Sequence, residues 1–290
     1  MISVVVISKD ERALDATLTA VAAQLAELGT PGELVVVDAS AGRLADIAAR
    51  HPGVRWLDFT RPAGVRVSIP HQRNAGVRAA RGDVVVFTDA GCLPADKWLA
   101  RLVEPVLDGA EAVTAGVATG GLYERDVLRR PDYLDECPTI NLAFTRAAFD
   151  AVGGFDERFE YGSDVDFSWR LIDAGHRIRS VPDAVVTHDW GDGRRQLKRS
   201  FAYGKARSRL YRKHRARRGR LLTAEPMVVV YPVFLLGLPV LLLAPWLPWV
   251  LAYPLLLAVP AWRARGNGPA RVVVDHLAYG AGVLADLAGR

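Results

Sequence analysis

Two spacings of apolar residues alternate along the first 190 residues. Short β-branched runs at residues 3–8, 34–37, 54–59, 84–88 and 112–117 are apolar at nearly every position, which predicts five buried strands. Between the first two, Leu14, Leu18, Val21, Leu25 and Leu28 recur at helical spacing across residues 12–28, and Gly29 and Pro31 stop the pattern. Further helices are predicted over residues 43–50, 72–80 and 98–107. Strands alternating with helices imply a Rossmann-like α/β fold, with a mainly parallel central sheet and helices on both faces.

The pattern changes completely after residue 225. Residues 226–262 carry no charged side chain, and most are large and apolar. A bilayer core takes roughly 20 apolar residues per helix, so this length suits two short passes or a re-entrant hairpin. Pro245-Trp246-Leu247-Pro248 falls where the tip belongs. Trp246, Trp249 and Tyr253 near it, with Tyr231 and Trp262 near the ends, fit interfacial anchors. The alternative is a Pro-rich helical hairpin buried in a soluble domain. Residues 271–288 place Val273, Leu277, Leu284 and Leu287 along one face, which suits an interfacial helix or a packed one.

Charge sharpens these boundaries. The net charge of +5 hides 20 basic and 29 acidic side chains in residues 1–193, whereas residues 194–220 hold 13 Lys or Arg and no acid. Arg263, Arg265 and Arg271 make the far flank of the apolar run basic as well. Basic flanks stay cytoplasmic, so an even number of crossings is expected. Four segments follow: a globular domain over 1–193, a basic juxtamembrane segment over 194–225, the hydrophobic hairpin over 226–262 and an amphipathic helix over 263–290. Phe201, Tyr203 and Tyr211 lie within the basic band. The band suits an anionic membrane surface first and the diphosphate of a lipid-linked acceptor second; nucleic acid is not expected as a partner. Cys92 and Cys137 give neither a disulfide framework nor metal-ligand spacing, and no signal peptide is read at residues 2–12. Both point to a reduced, cytoplasm-facing compartment.

Candidate chemistry gathers at strand ends. Lys9-Asp10-Glu11-Arg12 follows the first strand in place of a Gly-rich turn, which argues against a dinucleotide-binding Rossmann site, and no Walker A sequence occurs. Asp38 ends the second strand, where it can accept from a base N–H or cap the following turn. Asp89 ends the 84–88 strand, where open α/β sheets place ligands, and can hold a divalent cation or a ribose hydroxyl. Ser163 and Asp166 read as a capping box, with Gly175 as the helix stop. Asp164, in the same first turn, either complements the helix dipole or is a pre-oriented general base. His188 follows another short strand and becomes a ligand only if the fold brings it to Asp89.

Taken in order, these pieces resemble the family 2 glycosyltransferases, inverting enzymes of the GT-A fold. The matching residues are Val4-Val5-Val6-Ile7-Ser8, the strand ending at Asp38, and Arg73-Asn74-Ala75-Gly76 leading through Gly82-Asp83 to Asp89. Asn141-Leu142-Ala143-Phe144, Gly153-Gly154-Phe155-Asp156 and the Asp164–Leu171 helix complete them. The resemblance implies a nucleotide-sugar donor (UDP-, GDP- or dTDP-linked) bound by Ser8, Asp38, Arg73, Asn74 and Asp89. It implies Asp164 as the base, with Asp166, Trp169 and Asn141 on the acceptor side. Mg²⁺ or Mn²⁺ is expected on Asp89 and His188. Two positions depart from the family pattern: Gly91 replaces the second acid of the Asp-x-Asp motif, and Ser163 the acid before the base. The expected protein is a hexosyltransferase attached to the cell membrane, facing the cytoplasm and extending a lipid-linked or cell-envelope glycan. The departures also admit a catalytically silent GT-A domain that scaffolds envelope enzymes. A nucleotidyltransferase is disfavoured, because no Gly-rich basic loop follows the first strand.

Overall fold

The computed structural model describes residues 1–120, 130–190, 193–263 and 268–289, which leaves Arg265 of the basic flank outside the described residues. The chain forms two compact units, Met1–Asp189 and Trp190–Arg290.

The first unit is built on one mixed sheet. Its strands are β1 (Ile2–Ser8), β2 (Gly32–Asp38), β3 (Arg55–Asp58), β4 (Val84–Asp89), β5 (Leu93–Pro94), β6 (Val113–Thr119), β7 (Tyr133–Leu134), β8 (Asn141–Thr145) and β9 (Ile178–Thr187). They lie in the order β3-β2-β1-β4-β8-β6-β9-β5, with β7 paired to β9. The connecting helices are α1 (Leu14–Glu27), α2 (Ala45–Arg50), α3 (Ile69–Ala79), α4 (Trp98–Leu107), α5 (Arg146–Ala151) and α6 (Ser163–Asp173). β3, β2, β1 and β4 run parallel, as the apolar runs require of strands covered on both faces. The sheet then departs from the mainly parallel expectation, because β8 pairs antiparallel with both β4 and β6. Strand order reverses between β1 and β4, so the carboxyl ends of these two strands border a topological switch point.

The helix carrying Asp164 begins differently from the expected capping box. No side chain caps α6; Gly162 takes a left-handed conformation, and its carbonyl accepts from the Asp166 N–H at 3.0 Å. The C-terminus follows the sequence reading. Gly175, at φ +90°, donates to the Ile172 carbonyl, and His176 donates to Leu171, a Schellman pair that stops the helix.

The second unit contains α7 (Gly193–Lys213), a 3₁₀ helix at Arg215–Arg220, α8 (Leu221–Ala224) and α9 (Met227–Gly237). Further 3₁₀ helices at Leu238–Leu243 and Pro248–Leu257 precede α10 (Ala258–Arg263) and α11 (Pro269–Ala288). Among the described residues no single helix is long and apolar enough to cross a membrane. α11 packs along α7 through Tyr279, Gly282 and Val283, and its Gly280 faces Tyr231 of α9; of the predicted Val273–Leu287 face, Leu287 is 45% exposed. Asp275 accepts from Gln196 and Ser200, while Asp286 takes ion pairs from Arg209 and Arg212 at 2.8 Å each.

Candidate functional site

Strand register assembles the first part of the site. Ser8 lies opposite Asp38, and Ile7 lies opposite Asp89, so Ser8, Asp38 and Asp89 stand abreast at the carboxyl ends of β1, β2 and β4. Asp38 is buried, and its Oδ1 accepts from the Ser40 N–H and hydroxyl. The turn-capping reading of Asp38 is therefore seen: Oδ1 fixes the turn, and Oδ2 accepts neither of these bonds. The Ser8 Oγ is buried without a hydrogen-bond partner. A buried hydroxyl in that state is costly unless a ligand satisfies it.

Arg73 reaches the site from the buried face of α3. The residue is 6% exposed; its guanidinium lies 5.8–6.0 Å from the ring centres of Phe155 and Phe87 and reaches Asp89 Oδ1 only at 3.4 Å. Its Nε has no partner at all. A buried cation so loosely compensated can be stabilised by an anion, since a desolvated charge gains strongly from an opposite one. The shelf beneath it is an aromatic cluster in which Phe155 and Phe167 stack at 4.4 Å, with Phe144 and Phe149 behind. Sequence reasoning missed that shelf, although an aromatic residue directly after Gly153-Gly154 was the available signal.

Asn74, one residue on, is used differently. Its amide donates to the Phe155 carbonyl and Glu157, and its Oδ1 accepts from the Phe155 N–H, each at 2.9 Å. It therefore fixes the loop that carries the ring under Arg73. Asn141 is also internal: it donates to the Val117 and Ala184 carbonyls and accepts from Trp98 Nε1. With 1% exposure and a fully engaged amide, it braces β8 and presents no polar atom to an acceptor. Asp166 is fully buried and ion-paired at 2.8 Å to Arg170, which donates to the Val152 and Gly154 carbonyls. Trp169 is 3% exposed. Of the residues expected on this side, Asp164 is half-buried in the first turn of its helix, while Asp166 and Trp169 are buried within it.

The electrostatics single out Asp164. Burial raises its carboxyl above the ordinary value; the Arg73 guanidinium and the Val165 N–H at 2.9 Å oppose this, and Glu136 adds to it. A carboxylate that holds its proton more tightly than usual is a stronger base at neutral pH. Because Arg73 acts on Asp164 and touches Asp89, one cation links the switch-point acid to the candidate base. Glu136 was not read from the sequence as part of this group.

His188 comes close to the Asp89-Ala90-Gly91 turn. A Cβ built on Gly91 would lie 3.8 Å from the imidazole Nδ1, and Cys92 Sγ lies 3.6 Å from that nitrogen. Burial, with Asp89 adding to it, pushes the Cys92 thiol up to about 12, so it stays a neutral thiol at physiological pH. Among the described residues no three His, Cys, Asp or Glu side chains form a metal cage. The donor set suits a cation that brings phosphate and water ligands with it, because Asp89 keeps 30% of its side chain exposed at the strand end. Gly91 itself has φ +89°, a conformation that a side chain at this position would strain.

Comparison with known proteins agrees with this geometry. The profile described as glycosyl transferase family 2 matches residues 3–156, and that of glycosyl transferase family group 2 matches residues 137–262. The pre-mycofactocin glycosyltransferase of Mycobacterium tuberculosis is 31% identical over 136 residues, covering 40% of this chain and 29% of that protein. The succinoglycan biosynthesis protein ExoA of Rhizobium meliloti is 30% identical over 150 residues, covering 48% and 44%. The chain thus matches less than half the length of both relatives. Among solved structures, the mannosyltransferase PcManGT from Pyrobaculum calidifontis, in complex with GDP-Man and Mn²⁺, superposes with a TM-score of 0.73 at 20% identity. That match covers 100% of this chain and 87% of the other. GalNAc-T7 with UDP, GalNAc and Mn²⁺ gives 0.53 at 18% identity, covering 72% and 50%. The mixed α/β fold of the first unit is that of the GT-A neighbours.

Proposed function

We propose that the chain, which belongs to glycosyl transferase family 2, transfers a sugar from a nucleotide-sugar donor to an acceptor hydroxyl with inversion. The observation that carries this reading is the trio of Asp89, Arg73 and Asp164. A half-buried strand-end acid at the switch point and a buried, under-compensated cation stand in electrostatic contact with a carboxyl of raised proton affinity.

Each residue then has a defined task. Asp38 Oδ2 accepts from a base N–H, and Ser8 Oγ meets the donor beside it. Arg73 neutralises charge that develops on the diphosphate, in a site dry enough to make that interaction strong. Asp164 accepts the proton of the acceptor hydroxyl as its oxygen bonds to the anomeric carbon. The carbon–phosphate-oxygen bond breaks, and its electron pair leaves with the nucleoside diphosphate. Positioning provides much of the acceleration, since both reactants are held by residues on rigid elements. A divalent cation, when present, would rest on Asp89 and the phosphates, with His188 alongside, and supply further positive charge to the leaving group. Both similar solved structures are complexes with Mn²⁺, which supports that choice.

The acceptor we favour is a lipid-linked or cell-envelope glycan, with the first unit on the cytoplasmic face of the cell membrane. The basic band ahead of an uncharged run supports it. Nucleotide sugars named for GDP-Man and UDP-bound neighbours define the donor panel to try first. In titration calorimetry against that panel, one donor should bind in the parent chain and in Asp164→Asn alike, whereas turnover should fall by several orders of magnitude in the variant. Near-normal turnover in Asp164→Asn would remove Asp164 as base. Binding of no nucleotide at all would favour the scaffold reading.

A further inference from the structure

Strand register brings a second guanidinium to the same end of the first unit as Asp89. Thr88 of β4 lies opposite Asn141 of β8, and Leu142 lies opposite Ala115 of β6, so Asn141 and Gly116 stand abreast just short of the Asp89 level. In the strand order Gly116 is two strands beyond Asp89, away from the β1 and β2 ends that carry Ser8 and Asp38. Arg130 attaches at this point: its Nη1 donates to the Gly116 carbonyl at 3.0 Å. Cys137 lies within electrostatic reach of both Arg130 and Asp164. Contacts complete the path to the candidate base. Cys137 Sγ is 3.6 Å from Ser168 Oγ, and that hydroxyl donates to the Asp164 carbonyl at 2.9 Å.

Arg130 is used differently from the other arginines in its setting. Among the described residues of the first unit, Arg73, Arg130, Arg146, Arg170 and Arg179 are buried or half-buried. Arg146 donates through Nε and both Nη atoms to the carbonyls of Val77, Ala80 and Gly82. Arg170 and Arg179 pair with Asp166 and Asp132. Arg130 has the Gly116 carbonyl and, among the described residues, no carboxylate. Burial lowers its proton affinity, yet a guanidinium stays charged at physiological pH. Cys137 does not compensate it, because burial pushes that thiol up to about 12 and keeps it neutral. Nor does Arg130 tune the base: burial, Arg73, the Val165 N–H and Glu136 set the proton affinity of Asp164. A desolvated cation without a counter-charge carries a cost that a bound anion offsets. Arg73 and Arg130 are the two left short of partners, and Arg73 already has the donor diphosphate.

We propose that Arg130 is the acceptor's anion site: the acceptor carries a phosphate or carboxylate near the hydroxyl that Asp164 deprotonates, and the remaining N–H groups of Arg130 hold it. This inference rests on the glycosyl-transfer reading and adds to it the charge of the acceptor. Each substrate then meets one guanidinium. Holding the acceptor by a group other than its nucleophile positions the hydroxyl without occupying Asp164. It also confers selectivity, because a neutral sugar leaves the cation uncompensated. Residues 1–193 carry 20 bases and 29 acids, so their net field repels an anion and a local cation is needed to admit one.

The test uses the full chain in detergent micelles, saturated with the nucleoside diphosphate that it binds, so that Arg73 is occupied. Saturation-transfer NMR then titrates soluble probes: the methyl glycosides of glucose and galactose, the matching methyl uronosides, and the two hexose 1-phosphates. One anionic set should bind about tenfold or more tighter than the neutral glycosides, as a charged hydrogen bond implies. Preference for the 1-phosphates identifies a phosphate-bearing acceptor, such as a lipid-linked one; preference for the uronosides identifies an acidic sugar. Arg130→Gln should reduce the preference to about twofold or less, whereas Arg130→Lys, which keeps the charge but not the fork, should retain part of it. Nucleoside diphosphate affinity like that of the parent shows that each variant is folded. Equal binding of all probes by the parent chain overturns the proposal without any variant, and a preference that survives in Arg130→Gln overturns it as well. A parent chain that binds no nucleotide is a separate failure, that of the glycosyl-transfer reading, and this proposal falls with it.

Discussion

Asp164 shows how a site residue can weigh against the stability of its own fold. Burial raises its carboxyl, so the folded chain binds that proton more readily than the unfolded chain does. Stability is therefore lost as pH rises from the unfolded carboxyl value through the folded one, and none is lost in stronger acid. Asp164→Asn removes the cost: the variant should melt above the parent at neutral pH, and the gap should close as the pH is taken below the ordinary carboxyl range. Thermal scans across pH check this, and coincident curves at neutral pH would show that Asp164 ionises without penalty. Gly91 poses the opposite case. Room exists for a side chain, its nearest neighbours lying 3.7–3.8 Å from a built Cβ, but φ +89° does not suit one. Gly91→Asp, which completes the Asp-x-Asp spacing, should cost about 1–3 kcal/mol in denaturant unfolding. At this scale the sequence exposed the carboxylates, because strand ends and first helical turns can be read from local pattern. It concealed Asn141 and Asp166, since identity alone does not reveal whether an amide or acid is already engaged internally. It also concealed Cys92 and the Phe155 shelf, which tertiary folding brings to His188 and Arg73.

The elements were most legible where one hydrophobic period ran unbroken. β1, β2 and β4 lie where β-branched runs place them, and α4 spans Trp98–Leu107 as expected. β8 escaped because its apolar run is only Leu142, Ala143 and Phe144, headed by the polar Asn141, whose amide partners lie on β6, β9 and α4. α11 was found, with Val273, Leu277, Leu284 and Leu287 read as one apolar face for either a membrane interface or packing. The contact with α7 instead rests on small residues and buried acids. A Cβ at Gly204 would meet the Tyr279 carbonyl at 2.0 Å, and one at Gly282 would meet the Phe201 carbonyl at 2.0 Å. Backbones this close leave no space for any side chain, so hydrophobic periodicity cannot report the contact. Gly204→Val should force the helices apart and strain the Asp286 pairs with Arg209 and Arg212. Overpacking of this kind costs about 1–3 kcal/mol. Detergent-solubilised chains compared by thermal unfolding give the measurement, and an unchanged melting temperature would mean that the two helices are not held at this distance.

Across the whole molecule, charge and hydrophobicity are sorted by unit. Residues 1–193 carry nine more acids than bases, and residues 194–220 carry only bases. The three acids of residues 221–290 are Glu225, Asp275 and Asp286, and each binds side chains of α7. Acid in the second unit is thus used to hold its helices together, leaving its surface basic next to the uncharged run of residues 226–262. Two kinds of attachment follow from this arrangement, and salt separates them. At about 1 M salt the screening length falls to roughly 3 Å, so contact between arginines and headgroups is lost. Burial of apolar surface does not weaken under the same conditions, and salting-out strengthens it. The full chain in isolated membranes should therefore remain in the pellet through a wash at that ionic strength, and should leave only with detergent. A variant with Arg215, Arg217, Arg218 and Arg220 replaced by Gln should behave the same once inserted, although it associates more slowly with anionic vesicles. Release of the parent chain by salt alone would show that charge holds it at the surface and that residues 226–262 never enter the hydrocarbon.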